Sequence, residues 1–335
     1  MPDPMFPGKS WEFNKIWLPE EVAEQIDIFV STIDTTGLLI IKNGKVVYEY
    51  GNVREPVYLG SVRKSILSML YGPYVANGTI NLNYTLKDLG ISDIGGLLPI
   101  EKQATVINLI TSRSGVYHPA SNDGDLLEYA PKRGSKKQGS YWLYSNWDFN
   151  AAGVVFERLT GKNIYDALQD DLAIPIGMQD FDREQQRKYH NQERSQHATY
   201  SMWLSAQDMA RLGYLMLRNG KWEGRQIIPH KWVQSSTTVF TPIEEMNPEF
   251  MRSLPFGYGY MWWVWDGPNA IGSYKYAYTA SGVHGQFITV LPELDIVVVH
   301  VAYWSPEGAP RHHVKNSEYY GLLDLIIKSL AIYNK

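Results

Sequence analysis

Residues 57–64 read VYLGSVRK and contain the one Ser-x-x-Lys pattern of the chain, formed by Ser61 and Lys64. A β-type run ends at Gly60, and the spacing of apolar residues after it predicts a helix over residues 61–76. Residues three apart at the start of a helix lie on one face, so the Lys64 side chain should lean back toward the Ser61 hydroxyl.

This pairing of serine and lysine is typical of nucleophilic chemistry. A serine becomes a nucleophile when a base takes its proton, and lysine can be that base if burial and nearby positive or polar groups lower its pKa from about 10.4. The Ser61 amide, at the helix N-terminus, would then donate a hydrogen bond to an oxyanion. An N-cap serine followed by a surface lysine is the alternative interpretation of the same pattern.

A second polar group lies at Tyr144-Ser145-Asn146, between the aromatic pair 141–142 and a predicted helix over residues 147–159. A phenol beside an ammonium group can pass protons, so Tyr144 is a candidate base in acylation and a candidate acid toward a leaving group. Asn146 is a candidate partner of Lys64 or of a substrate amide. A buried tyrosine followed by an N-cap asparagine is the alternative here.

The pattern of elements predicts an α+β fold. Asn43-Gly44 between two β-type runs predicts a hairpin, and further β-type runs return from about residue 256. The expected architecture is an antiparallel sheet flanked by the two terminal helices, with an inserted, mostly helical lobe. The expected domains are a sheet domain of residues 15–60 plus 255–335 and a helical domain of residues 61–254. The active site is expected in the cleft between them.

Composition excludes several classes of function. The chain has 335 residues, with 31 Lys and Arg against 35 Asp and Glu, a net charge of −4 and no cysteine. It therefore lacks the basic surface expected of a nucleic-acid partner and any thiolate metal ligand. Neither a transmembrane run nor a signal peptide is predicted. As it stands the chain is expected in the cytoplasm, or in the periplasm or outside the cell if a signal was trimmed.

These motifs, in this order, resemble the serine hydrolases related to class C β-lactamases. The residues that carry the resemblance are Ser61 and Lys64, then residues 109–115 (LITSRSG) and then Tyr144-Ser145-Asn146. That group includes D,D-peptidases, family VIII carboxylesterases and nylon-oligomer hydrolases. The resemblance covers roughly residues 20 to 330. It implies a β-lactamase/transpeptidase-like fold and an acyl-enzyme on Ser61, with no cofactor and no metal.

The third motif of that group is altered. β-Lactamases and D,D-peptidases carry Lys-Thr-Gly on the strand that edges the site, and the matching residues here are Ala280-Ser281-Gly282. Gly282 is expected to allow close approach of the substrate, and the Val283 N–H to be a second oxyanion donor. Losing the lysine removes a contact to a substrate carboxylate of about 1.5–3 kcal/mol. His284 could replace this cation if the register is shifted.

The sequence therefore predicts a serine hydrolase, foremost a carboxylesterase acting on short esters. One open alternative is an amidase of the β-lactamase, D,D-peptidase or nylon-oligomer type, and another is a non-catalytic, penicillin-binding-like module. A small ester or amide is the expected partner, and the sequence does not indicate an oligomeric state. Residues 257–265 are predicted as one aromatic strand, with one face in the core and the other a candidate lining of an acyl pocket. Residues 123–137 are predicted as a solvated loop, with a mobile lid as the alternative, and Tyr117-His118 as a candidate cleft rim.

Overall fold

The computed structural model of the chain describes residues 5–14 and 17–333. The outer limits predicted for the sheet domain, residues 15 and 335, lie outside the described residues. The α-helices are α1 (Glu20–Val30), α2 (Val62–Ala76), α3 (Val106–Ile110), α4 (Asn146–Thr160), α5 (Ile164–Ala167), α6 (Ile174–Ile176), α7 (Ala206–Leu217), α8 (His230–Ser236) and α9 (Asn316–Tyr333). Within the described residues, none of these helices is both long and apolar enough to cross a membrane.

The strands are mostly short. They are β1 (Gly37–Lys42), β2 (Lys45–Gly51), β3 (Val57–Tyr58), β4 (Arg187–Tyr189), β5 (Thr199–Ser201), β6 (Trp203–Leu204), β7 (Lys221–Trp222), β8 (Arg225–Gln226), β9 (Phe256–Tyr258), β10 (Trp263–Trp265), β11 (Tyr278–Gly282), β12 (Gln286–Leu291), β13 (Ile296–Val301), β14 (Trp304–Ser305) and β15 (Gly308–Arg311). Seven of them form one antiparallel sheet in the order β2-β1-β13-β12-β11-β10-β9.

The N-terminal hairpin and the C-terminal strands share this sheet, as predicted. β1 pairs with β2 on one side and with β13 on the other. Asn43 and Gly44 close the hairpin with φ values of 47° and 73°, the left-handed conformations that a two-residue turn of this kind requires. All seven strands lie in residues 37–51 and 256–301. The division into two domains remains a prediction.

Alternation along β1 explains how the sheet is covered on both faces. Leu38 and Ile40 belong to an apolar cluster that includes α1 and α9, so the terminal helices cover that face as predicted. Leu39 and Ile41 point the other way and belong to the larger cluster, which includes α2, α4 and α7. The sheet is thus held between the terminal helices and the helical segment that carries Ser61.

The prediction of one strand over residues 257–265 is wrong. The segment forms two strands, β9 and β10, which pair with each other so that Tyr258 lies opposite Trp263. Met261, with a φ of 62°, lies in the turn between them. The alternation of aromatic residues continues through that turn, and so a hairpin of two short strands resembled one longer strand.

Candidate active site

Ser61 lies at the N-terminus of α2, and its position is set by the segment before it. β3 pairs with β6, and the Leu59 N–H donates a hydrogen bond of 3.0 Å to the Met202 carbonyl. Ser61 is the N-cap of α2, and the Lys64 N–H donates to the Ser61 carbonyl at 3.0 Å. One helical turn therefore brings the two side chains to the same face, as the spacing predicts.

The Lys64 side chain contacts three polar groups from two distant parts of the chain. Its Nζ lies 2.9 Å from Ser61 Oγ, 2.6 Å from Tyr144 Oη and 2.7 Å from Asn146 Oδ1. Only 1% of Lys64 is exposed. The structure thus brings together four of the residues singled out in the sequence. A neutral amine, with two hydrogens and one lone pair, can satisfy all three contacts while accepting from the Ser61 hydroxyl.

Burial shifts the pKa values of the Lys64 amine and the Tyr144 phenol in opposite directions. Burial lowers the pKa of Lys64 well below its usual value, and the positive charge of Arg63 lowers it further, whereas Asp125 opposes both. Burial raises the pKa of Tyr144 to about 12, while its hydrogen bond with Ser61 and the charge of Arg63 act in the opposite direction. The lysine is therefore the more readily deprotonated member of the pair, and the phenol keeps its proton at neutral pH.

Tyr144 is held by aromatic packing. The Trp263 ring stacks on it with 5.5 Å between ring centroids and 25° between planes, and Phe149 packs beside it at 5.1 Å. The Lys64 Nζ lies 4.2 Å from the centroid of the Tyr144 ring. This packing leaves the phenol hydroxyl directed at the amine and limits the rotamers available to the ring.

The loop over residues 123–137 is exposed or half-buried throughout, as predicted, but its acidic part is also attached to the site. Asp125 Oδ2 accepts a hydrogen bond from the Asn146 N–H at 3.0 Å, and Asn146 Nδ2 donates to the Asp123 carbonyl at 2.9 Å. These contacts orient the Asn146 side chain toward Lys64. Gly124, between the two aspartates, lines the cleft in front of Ser61.

The third motif lies on β11 and the turn after it. Ala280 is buried and pairs with Ile288, whereas Ser281 and Val283 line the cleft. A Cβ on Gly282 would lie 2.5 Å from the Leu59 carbonyl oxygen, and one on Gly60 would lie 3.3 Å from the Val283 nitrogen. The two glycines therefore let the Ser61 segment pack directly against the end of β11. The close approach that Gly282 allows is therefore to the backbone of the Ser61 segment.

Two backbone donors in this region are free. Among the described residues, neither the Ser61 N–H nor the Val283 N–H has a hydrogen-bond acceptor. Both residues line the cleft. Unpaired amide donors beside a serine hydroxyl form the kind of arrangement that stabilises an oxyanion.

His284 is not brought into the lining of the cleft. Its ring stacks on Trp304 with 3.9 Å between centroids and 9° between planes. Burial, assisted by the charges of His313 and Arg311, lowers the pKa of His284 to about 4, so the imidazole is neutral at neutral pH. The expectation that His284 supplies the missing cation therefore has no support in the geometry. Tyr117 and His118 are buried and do not line the cleft either.

The cleft has a volume of about 460 Å³ and includes residues that the sequence did not point to. Those residues are His313, Lys315, Asn316 and Ser317, whereas Trp263 and Gly124 come from the aromatic run and the loop that the sequence analysis names. His313 reaches the cleft because its N–H donates to Asp34 Oδ2 at 2.9 Å, and His312 Nδ1 lies 2.5 Å from Asp34 Oδ1. The residues joined by these contacts lie more than 270 positions apart in the sequence. The one sequence feature that points to this part of the cleft is the His312-His313 pair.

Comparison with known proteins agrees with the resemblance to β-lactamase-related hydrolases. A family model described as Beta-lactamase matches residues 30–316. A 6-aminohexanoate-dimer hydrolase from Paenarthrobacter ureafaciens is 26% identical over 181 residues, which are 54% of this chain and 43% of that protein. The chain thus matches less than half the length of that relative.

Solved structures confirm the fold. A penicillin-binding protein homolog from Caulobacter crescentus aligns with a TM-score of 0.67 at 14% identity, over 93% of this chain and 98% of that one. EstCE1, described as a hydrolase with promiscuous acyltransferase activity, aligns with a TM-score of 0.66 at 17% identity, over 93% and 98%. The family model covers most of the sequence and spans Ser61, Lys64 and Tyr144, and the chain belongs to the beta-lactamase family of serine hydrolases.

Proposed function

We propose that the protein is a carboxylesterase that forms an acyl-enzyme on Ser61. Lys64 accepts the Ser61 proton as Ser61 Oγ forms a bond to the ester carbonyl carbon. When the tetrahedral intermediate collapses, the bond to the alcohol oxygen breaks and Tyr144 gives its proton to the departing alkoxide, while Lys64 returns a proton to the phenol. Water then attacks the acyl group through the same pair, releasing the acid and restoring the Ser61 hydroxyl.

The observation that carries the acyl-transfer chemistry is the set of three contacts around the buried Lys64 amine, at 2.6–2.9 Å. The direction of the pKa shifts supports Lys64 as the base and Tyr144 as the proton donor. The free Ser61 and Val283 amides are suited to hold the oxyanion. One such donor is typically worth about 3–4 kcal/mol of transition-state stabilisation.

The preference for esters rests on the third motif. Ala280 stands where relatives with a β-lactam or peptide substrate carry a cation, and His284, the nearest alternative, is neutral and stacked on Trp304. A substrate carboxylate would therefore meet no positive charge on this strand. A short, uncharged ester has no carboxylate, so the missing cation does not weaken its binding.

A linear-amide hydrolase is the second candidate, and one residue favours it. Lys315 lines the cleft from the position directly before α9 and makes no ion pair among the described residues. It would offer a cation to an amide substrate that ends in a carboxylate. The similarity to a protein named a 6-aminohexanoate-dimer hydrolase supports the same candidate.

Parallel initial rates test the proposal. The substrates are a p-nitrophenyl butyrate ester, a chromogenic cephalosporin and a linear dimer of an ω-amino acid. The variants are Ser61→Ala and, as a matched control, Ser68→Ala. Ser68 is a buried serine on the same helix, and its hydroxyl has no partner among the described residues. We expect ester turnover in the wild type and the control, none in Ser61→Ala and little cleavage of the cephalosporin.

The other outcomes are equally informative. Faster cleavage of the amide dimer than of the ester would move the assignment to the second candidate. Ester turnover that survives Ser61→Ala would overturn the acyl-enzyme on Ser61. The intact mass after treatment with a fluorophosphonate tests the remaining alternative, because a stable adduct on Ser61 without turnover of any substrate identifies a penicillin-binding-like module.

A further inference from the structure

The residue beside the candidate base carries a buried positive charge that has no carboxylate partner. Arg63 is 2% exposed, and within the described part of the chain it makes no ion pair. Its Nη2 donates to Asn150 Oδ1 at 3.1 Å, whereas its Nη1 has no hydrogen-bond partner there. Burying an unpaired charge is costly, so a fold that keeps one needs a compensating reason.

The groups that hold Arg63 are neutral. Its guanidinium carbon lies 4.3 Å from the centroid of the Tyr200 ring. Asn150, which accepts from it, donates in turn to Asn122 Oδ1 at 3.0 Å and to Thr199 Oγ1 at 3.3 Å. Amide, hydroxyl and aromatic groups can orient a guanidinium, but they leave its charge uncompensated. A buried charge without a counter-charge is poorly screened by solvent from its neighbours on α2.

Lys64 is the next residue on the first turn of the same helix, and its amine is buried with no carboxylate in contact. A lysine beside another cationic group holds its own proton less tightly, which is one recognised way to activate it as a base. We propose that Arg63 is a positioning residue of the reaction: its uncompensated guanidinium charge opposes protonation of Lys64 and so keeps the base for Ser61 in its neutral form. The inference rests on the function proposed above.

The remaining ionisable groups around the pair are arranged differently. Asp125 accepts a hydrogen bond from the Asn146 N–H. Its negative charge raises the pKa of Lys64 and so opposes the effect of Arg63. Asp148 on α4, Tyr200 on β5 and Tyr258 on β9 are buried, and burial raises the pKa of each, which favours the uncharged form. The positive charge of Arg63 acts on Lys64 in the same direction as burial, and it also lowers the pKa of Tyr144.

The test measures how the reactivity of Ser61 toward a fluorophosphonate depends on pH, and it does not require the natural substrate. The rate of inactivation by a fluorophosphonate is measured from pH 5 to 10 in the wild type, Arg63→Met and Arg63→Lys, with thermal unfolding recorded for each. Loss of the charge should move the acidic limb of the profile upward by about one pH unit. That shift is about a tenfold loss of rate at a pH on the limb, and the rate recovers at alkaline pH. Arg63→Lys, which keeps the charge, should keep the wild-type limb.

A second variant leaves Arg63 in place and cancels its charge. Asn150→Asp would put a carboxylate oxygen at the position that now accepts from Arg63 Nη2 at 3.1 Å. We expect the acidic limb to move upward in this variant too. The variant also covers the case in which Arg63→Met fails to fold.

The inference is overturned if the limb stays at the wild-type pH in both variants. A loss of rate that is equal at every pH, accompanied by a lower melting temperature, would also overturn it, because that pattern indicates a structural role in packing against Tyr200. A wild-type protein whose Ser61 does not react at any pH would instead overturn the proposed function, and the inference with it.

Discussion

The Lys64 amine nitrogen and the Tyr144 hydroxyl oxygen lie 2.6 Å apart, although 80 residues separate them in the sequence. Burial acts on the two groups in opposite directions, since it disfavours the charged form of each. The pKa of the lysine falls and that of the tyrosine rises to about 12. A neutral amine beside a neutral phenol is a pair in which either group can pass a proton to the other as charge develops.

Replacing Tyr144 by phenylalanine should separate proton donation from packing. The ring stays between Trp263 and Phe149, so we expect little change in melting temperature. Turnover should fall by about 10²-fold or more for an alkyl ester, whose alkoxide needs a proton to leave, and by much less for a p-nitrophenyl ester. Comparing kcat on the two esters checks this. Equal losses on both would show that the phenol does not protonate the leaving group.

The pH dependence of ester hydrolysis should report Lys64. The base works when it is deprotonated, so kcat/KM should rise with pH through an acidic limb well below the ordinary lysine value of 10.5. No alkaline fall is expected from Tyr144 until about pH 12. His284→Gln is the control: its ring lies outside the cleft lining and should leave the limb unchanged. A limb that moves in this control, or one centred near pH 10.5, would contradict the assignment of the base.

Gly60→Ala should damage the oxyanion donor. The added Cβ would lie 3.3 Å from the Val283 nitrogen, at a position with a φ of +53°. Displacing one oxyanion donor typically costs about 10²–10³-fold in kcat. Gly78→Ala is the matched control, because Gly78 has a φ of +81° and a Cβ there meets nothing within 4 Å.

Both alanine variants should lose about 1–2 kcal/mol in the free energy of unfolding, because both residues adopt a left-handed conformation. Only Gly60→Ala should lose kcat on the ester. Similar kcat values for the two variants would mean that the Val283 N–H does not hold the oxyanion.

Asp148→Asn should alter how stability depends on pH. Asp148 is buried, accepts a hydrogen bond of 2.6 Å from Ser114 Oγ, and has a pKa raised well above 3.8, mainly by burial. The folded state thus holds this proton more tightly than the unfolded chain does. The free energy of unfolding that it contributes is present at low pH and is lost as pH rises above 3.8 toward the folded-state pKa.

The amide variant lacks that loss, so its stability relative to the wild type should increase from pH 4 to pH 8. Urea unfolding of both proteins at the two pH values measures the difference. A difference that does not change with pH would show that Asp148 has no raised pKa in the folded protein.

Local patterns explain what could be predicted. The Asn43-Gly44 turn, the helix after Gly60 and the terminal helices follow from turn chemistry and apolar periodicity, which act over a few residues. The spacing of Ser61 and Lys64 also fixes their relation, because one helical turn separates them. By contrast, the aromatic alternation from 257 to 265 predicts one strand where there are two, because the turn at Met261 does not interrupt that alternation.

The sequence by itself identified Ser61 as the candidate nucleophile, its relation to Lys64 and the shared sheet of the N-terminal hairpin and the C-terminal strands, because these follow from patterns between residues close in the chain. Tertiary structure alone decided what surrounds them. In the folded chain Asp125 is hydrogen-bonded to Asn146, and His284 stacks on Trp304 away from the cleft. Lys315 lines the cleft. The physical reason is that burial and charge depend on which distant segments pack together, and the same packing sets the reactivity of Lys64.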